Sequence, residues 1–201
     1  MMVNVAIFVS GSGSNCENII RYFAGSKDVN INLVVSNKAD AYALVRAAAL
    51  GVETIVVSKA EFNDEKKMMG ILKDHGTDFI VLAGFLLLVP DFLISAFDRK
   101  MVNLHPALLP KFGGKGMWGR HVHEAVKAAG ETETGMTVHY VSSECDGGEI
   151  IAQFRTAVSP DDTPDDIAAK EHDHASAQVK VSGAGRLADG GGTCRQSECG
   201  K

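Results

Sequence analysis

Val3-Asn4-Val5-Ala6-Ile7-Phe8-Val9-Ser10-Gly11-Ser12-Gly13-Ser14-Asn15 decides the fold class. Its first half is apolar and β-branched, which is the composition of a strand. A run of glycine, serine and asparagine breaks it. Residues 16–23 then place Ile19, Ile20 and Phe23 on one side of a helix. Strand, glycine-rich loop and helix together open an α/β domain, and they collect backbone N–H groups where an anion can bind. The glycines let a phosphate approach the backbone, and serine and asparagine add hydrogen bonds. The loop has no Gly-Lys-Ser/Thr and lacks the third glycine of a dinucleotide fingerprint. It suits a single phosphate monoester, and it also reads as a plain turn capped by serine or asparagine.

The pattern repeats outward from there. Strands are expected over 31–35, 54–57 and 78–83, with helices over 41–50, 61–75 and 91–97. Asn37 or Asp40 is placed to cap the helix at 41, and Gly51 to close it. Met68 and Met69 read as core filler. Strands alternating with helices predict a right-handed parallel sheet. A helix over 121–129 and strands over 134–141 and 149–157 follow, the last two joined through Asp146-Gly147-Gly148, which reads first as hairpin-turn chemistry.

The chemistry sits in Met101-Val102-Asn103-Leu104-His105-Pro106-Ala107-Leu108-Leu109-Pro110. Side chains two apart on a strand share a face, so Asn103 and His105 project together. Pro106 keeps His105 extended. An amide donor beside an imidazole suits a reaction in which a carbonyl oxygen becomes negative; the same residues also read as a strand ending in a proline turn. Asp146 reaching His105 would raise its pKa and hold an imidazolium ready. Gly84-Phe85-Leu86-Leu87-Leu88-Val89-Pro90 follows a predicted strand at its carboxyl end, where open α/β sheets bind ligands. It reads as the wall of a pocket for a flat heterocycle or as a buried helix. The segment Lys111-Phe112-Gly113-Gly114-Lys115-Gly116-Met117-Trp118-Gly119-Arg120 reads as a loop.

Composition narrows the function. With 45% hydrophobic residues, 22% charged residues and a net charge of −5, the chain is ordinary globular protein and carries no general basic face for nucleic acid. No apolar run is long enough to span a membrane, and no secretory leader pattern is read at the N-terminus. The four cysteines form no CxxC pair and no zinc spacing, so no metal is expected and a cytoplasmic setting is the simplest inference. His121 and His123, two apart on a helix, do not share a face for a metal. One domain is expected over 1–174, followed by an atypical Gly-rich tail over 175–201 without aromatics, poorly ordered by its composition.

Taken together, Ser10-Gly11-Ser12-Gly13-Ser14-Asn15, Ser36-Asn37-Lys38-Ala39-Asp40, Leu82-Ala83-Gly84-Phe85, Asn103-Leu104-His105-Pro106 and Asp146-Gly147-Gly148 resemble the folate-dependent formyltransferases. Within them, the Ser-Gly-x-Gly-Ser-Asn loop points to the branch acting on glycinamide ribonucleotide. The resemblance implies a Rossmann-like parallel sheet flanked by helices and extended by an antiparallel C-terminal hairpin. It implies formyl transfer from 10-formyltetrahydrofolate, as co-substrate, to the amine of glycinamide ribonucleotide in purine biosynthesis, with no metal. Gly13, Ser14 and Asn15 would hold the phosphate. Leu86, Leu87, Leu88 and Val89, with Asn103, Ser142, Ser143, Glu144, Cys145 and Asp146, would hold folate. Asn103, His105 and Asp146 would be catalytic. Leu87 and Glu65 stand where the family often has arginine. Ala175 stands where it has a glutamate that contacts the amine, for which Glu171 or Asp173 are the nearby substitutes. A ligand-binding but catalytically weak homologue, or transfer to another amine, stays open at this point, and so does the oligomeric state.

Overall fold

The computed structural model describes residues 2–171. Seven strands form one sheet in the order β3-β2-β1-β4-β5-β6-β7. The strands are β1 Val3–Val9, β2 Val29–Ser36, β3 Glu53–Val56, β4 Phe79–Leu82, β5 Met101–His105, β6 Glu133–Tyr140 and β7 Ile150–Ala157. The first five run parallel, and β6 and β7 pair antiparallel beyond β5. The chain builds outward from β1 on one side, then returns to β4 on the other. That reversal opens a crevice at the carboxyl ends of β1 and β4.

β1 shows why the sheet is sandwiched. Val5, Ile7 and Val9 face one way, into a cluster with α1 (Ser14–Phe23) and α2 (Tyr42–Ala49). Ala6 and Phe8 face the other way, into a cluster with Phe62, Met68, Leu72 and Leu93. Burial on both faces explains why the strand is continuously apolar. Phe8 and Phe62 are fully enclosed and meet edge to face at 6.0 Å. Each contributes roughly 2–3 kcal/mol of apolar burial.

Two expectations need correcting. The single helix over 61–75 is two, α3 Lys59–Phe62 and α4 Glu65–Asp74. Asn63 turns its side-chain amide back onto the Lys59 carbonyl at 2.7 Å, and Asp64 accepts from the Lys67 N–H at 3.0 Å as a new N-cap. Side chains of that kind compete with helix hydrogen bonds and restart the helix. Second, neither Asn37 nor Asp40 caps α2, whose N-cap is Ala41. Asn37 instead accepts from Ser10 Oγ at 2.5 Å, and the Ala43 N–H goes to the Gly11 carbonyl at 3.1 Å. Gly51 closes α2 at φ +77°, as expected. Met68 is core and Met69 packs against it.

The 84–90 segment is a loop rather than a helix, leading to α5 Asp91–Ala96. After β5 the chain runs through the glycine-containing loop to α6 Arg120–Ala128. Val122 and Val126 pack with Ala107, Val158 and Ile167, the last from a helix described over 164–171. Among the described residues no helix is long and apolar enough to cross a membrane. Asp173, Ala175 and the expected tail over 175–201 lie outside the described residues.

Candidate active site

A cavity of about 930 Å³ opens at the carboxyl ends of β1, β4 and β5. Its first wall is the loop from β1 to α1. Gly13 has φ +77°, and a Cβ there would lie 2.4 Å from Ala43 Cβ, so only glycine fits. α1 has no side-chain N-cap, so its positive end is left to other partners. Asn15 Oδ1 is buried there without a hydrogen-bond partner. A half-turn of that amide would present a donor instead. The wall therefore offers donors and positive dipole to an anion. Gly13, Ser14 and Asn15 all line it.

The second wall is 85–89. Phe85 packs on Phe8 and Phe62 at 5.4 and 4.9 Å, which anchors the loop. Leu86, Leu87, Leu88 and Val89 all line the cavity. Leu87 and Val89 also pack on the core, whereas Leu88 is 78% exposed. The Leu86 N–H donates to Ser10 Oγ at 2.9 Å, so the first and second walls share one buried hydroxyl. The third wall is the β6–β7 loop, with Ser142, Ser143, Glu144, Cys145 and Asp146. The Cys145 thiol is pushed up, by burial first and then by Asp146 beside it, so it stays protonated.

The floor is cross-strand. Asn103 pairs with His139 and His105 with Thr137 across β5 and β6. Asp146 reaches down from the third wall at φ +54°. Its Oδ1 accepts from Asn103 Nδ2 at 3.2 Å, and its Oδ2 accepts the Gly114 N–H at 2.9 Å. His105 Nδ1 lies 3.6 Å from Asp146 Oδ2. His105 Nε2 donates to the Phe112 carbonyl at 2.8 Å. The structure thus brings Asn103, His105 and Asp146 together. Reading Asp146-Gly147-Gly148 as a mere turn misses this, because the turn folds back over β5.

The electrostatics differ from the expectation for His105. Burial is the largest influence and pushes its imidazole below the ordinary histidine value; Asp146 and the Phe112 carbonyl pull the other way and lose. His105 is therefore neutral near neutral pH. For Asp146, burial raises the pKa, but His139, the Gly114 N–H and His105 together outweigh it and hold the carboxyl below its usual value.

Two residues of this site, His139 and His123, escaped the sequence reading, which named Glu171 as a nearby substitute for the amine-contacting glutamate. His139, buried, sits 3.1 Å from Asn103 Nδ2 and 3.6 Å from Asp146 Oδ1. No local pattern marked it, because only the β5–β6 register sets it opposite Asn103. His123 and Glu171 also line the cavity. Glu171 is 2% exposed and accepts from Thr134 Oγ1 at 2.6 Å. His123 Nδ1 stands 3.1 Å from Glu171 Oε2, out of line for a hydrogen bond. Glu171 Oε2 is thus buried at the cavity lining beside His123, without a hydrogen-bond partner. Among the described residues no group of three or more His, Cys, Asp or Glu is placed to hold a metal.

A model of the formyl transferase family matches residues 3–181. The chain belongs to the formyl transferase family. It is 38% identical over 187 residues to the chloroplastic phosphoribosylglycinamide formyltransferase of Arabidopsis thaliana, covering 90% of this chain and 64% of that one. It is 33% identical over 173 residues to the phosphoribosylglycinamide formyltransferase of Escherichia coli, covering 84% and 79%. This formyl transferase chain therefore spans less than two thirds of its plant relative. Its fold matches the solved phosphoribosylglycinamide formyltransferase of Brucella melitensis with a TM-score of 0.84 at 31% identity, covering 94% of this chain and 97% of that one. The mixed sheet with its antiparallel end is the formyl transferase fold.

Proposed function

We propose that this chain transfers the formyl group of 10-formyltetrahydrofolate to the amine of glycinamide ribonucleotide, a step of purine biosynthesis, and does so in the cytoplasm. One observation carries the reading. A single cavity joins an amide cradle for phosphate, an Asn103–His105–Asp146 cluster, and an apolar wall at Leu86 to Val89. That order matches a substrate with a phosphate at one end and an amine at the other, meeting a flat folate ring. Relatives named phosphoribosylglycinamide formyltransferase support it.

The phosphate sits on the Gly13–Asn15 turn and the N-terminus of α1. The pterin lies between the 86–89 and 142–146 loops. The amine nitrogen attacks the formyl carbon, and the carbonyl electron pair moves to oxygen. The two N–H bonds of Asn103 Nδ2 go to Asp146 Oδ1 and His139 Nε2, and His105 Nε2–H goes to the Phe112 carbonyl. The oxyanion takes over donors from His139 and Phe112. An anionic acceptor binds a donor about twice as strongly as a neutral one, so the exchange favours the transition state over the ground state. The proton that the attacking amine gives up to Asp146 is shared with His105 Nδ1, whose transient positive charge the negative oxygen and Asp146 stabilise, and His105 is neutral again once that proton has moved on. Asp146 receives the proton of the attacking amine, which is strongly acidic once bonded to carbon, and the proton passes to the folate nitrogen as the C–N bond breaks. No covalent enzyme intermediate forms.

The test is a formyl-transfer assay with both substrates on the purified chain and on His105→Ala. The expected result is turnover that the variant loses while it still binds the ribonucleotide. Equal turnover in both would overturn the assignment.

A further inference from the structure

We propose that Arg46, on α2, is a positioning residue that aims the amides of the glycine-rich loop and so sets affinity for a phosphate monoester. The inference rests on the reading that this loop takes the ribonucleotide's phosphate.

A peptide plane carries its C=O and N–H on opposite sides. Tying down one carbonyl therefore aims the N–H of the next residue the other way. Three consecutive carbonyls of the loop are tied. Gly11 accepts from the Ala43 N–H at 3.1 Å, and Gly13 accepts from the Glu17 N–H at 2.9 Å. Between them, Ser12 accepts from Arg46 Nε at 3.0 Å. The outer two ties are backbone to backbone, so almost any sequence makes them. The middle one needs a side chain. It fixes the Ser12–Gly13 plane and hence the Gly13 N–H, which then points away from α2 to the cavity side of the loop.

The guanidinium is itself held. Its Nη1 pairs with Glu17, and its carbon stands 4.9 Å over the Tyr42 ring. Glu17 also takes Arg21 at 2.8 Å, so two cations share one carboxylate beside the loop. The planar fork matters here, because Nε and Nη1 reach two acceptors at once. Close packing leaves the loop no slack, since Gly13 already touches Ala43 as tightly as glycine allows.

Three variants separate aiming from charge. Arg46→Met removes the donor and the charge. Arg46→Gln places an amide N–H where Nε stood, without charge. Arg46→Lys keeps the charge without the fork. Steady-state kinetics with the ribonucleotide, with its dephosphorylated riboside, and with inorganic phosphate as competitor give the readout. Arg46→Met is expected to raise the ribonucleotide KM and the phosphate inhibition constant about ten-fold, the loss of one charge-assisted hydrogen bond. Its kcat, its folate KM and its rate on the riboside stay near those of the parent. Arg46→Gln recovers most of the affinity and Arg46→Lys less. Rescue by Lys and not by Gln would overturn the proposal, and so would an unchanged KM in Arg46→Met. If Arg46→Met fails to fold, the Gln and Lys pair decides. A parent chain that uses the riboside as well as the ribonucleotide would instead remove the phosphate reading itself.

Discussion

Asp146→Asn separates charge from shape at the centre of the site. The side chain is 11% exposed and 3.6 Å from His105 Nδ1. At that distance a carboxylate and an imidazolium attract by about 4–5 kcal/mol at an effective dielectric of about 20. Burial keeps His105 neutral, so little of that attraction exists before reaction. It is realised as positive charge gathers on the imidazole in the transition state. Every 1.36 kcal/mol is about ten-fold in rate, so kcat is expected to fall about a thousand-fold. The ribonucleotide KM should stay within a few-fold, because the phosphate cradle proposed at Gly13–Asn15 does not bond to Asp146. Asparagine can still accept the Gly114 N–H now held at 2.9 Å, so the loop stays closed. Its new N–H₂ meets the Asn103 amide, which costs about 1 kcal/mol of stability. The assay is initial-rate formyl transfer at saturating concentrations of both substrates, with a thermal melt as control. A kcat within ten-fold of the parent, in a folded variant, would refute the electrostatic argument.

Thr137→Val keeps the shape of a wholly buried side chain but removes an oxygen that accepts from the Leu109 N–H at 3.0 Å and Gln153 Nε2 at 3.0 Å and donates to the Ala107 carbonyl at 2.6 Å. Urea denaturation should show a loss of about 2–4 kcal/mol from stranding those groups, and a loss under 1 kcal/mol would mean that the oxygen does not pin the loop after β5. Stability against pH should also report on His105. Its folded pKa lies below 6.5, so the unfolded chain takes up a proton first as pH falls, and this histidine destabilises the fold from about pH 6.5 downward while contributing nothing above it. Melting temperatures from pH 7.5 to 5 should therefore fall less steeply in His105→Gln than in the parent; identical slopes would show that His105 is not desolvated.

Whatever local pattern determines was legible in the sequence. β1 is readable because alternate residues serve two cores, and Asn103 with His105 because two-residue spacing on a strand fixes a shared face. Features set by distant register were not. His139 faces Asn103 only because β6 pairs antiparallel with β5. His123 meets Glu171 only because the 164–171 helix packs near α6, as the Val122, Val126 and Ile167 cluster shows. The break at Asn63 and Asp64 was hidden because apolar spacing continued across it, while side-chain caps decided the outcome. The charge state of His105 was misjudged because a sequence shows its partner and not its burial.

Gly148 sits where a Cβ would lie 1.7 Å from the Tyr140 carbonyl oxygen. Any larger residue there lifts the loop and carries Asp146 off the floor. Earlier in the same loop, Ser143, Glu144 and Cys145 are exposed on the cavity rim. A single loop thus joins a segment closed to variation with one open to it. Selection can redraw the rim without touching the carboxylate at the centre of the site.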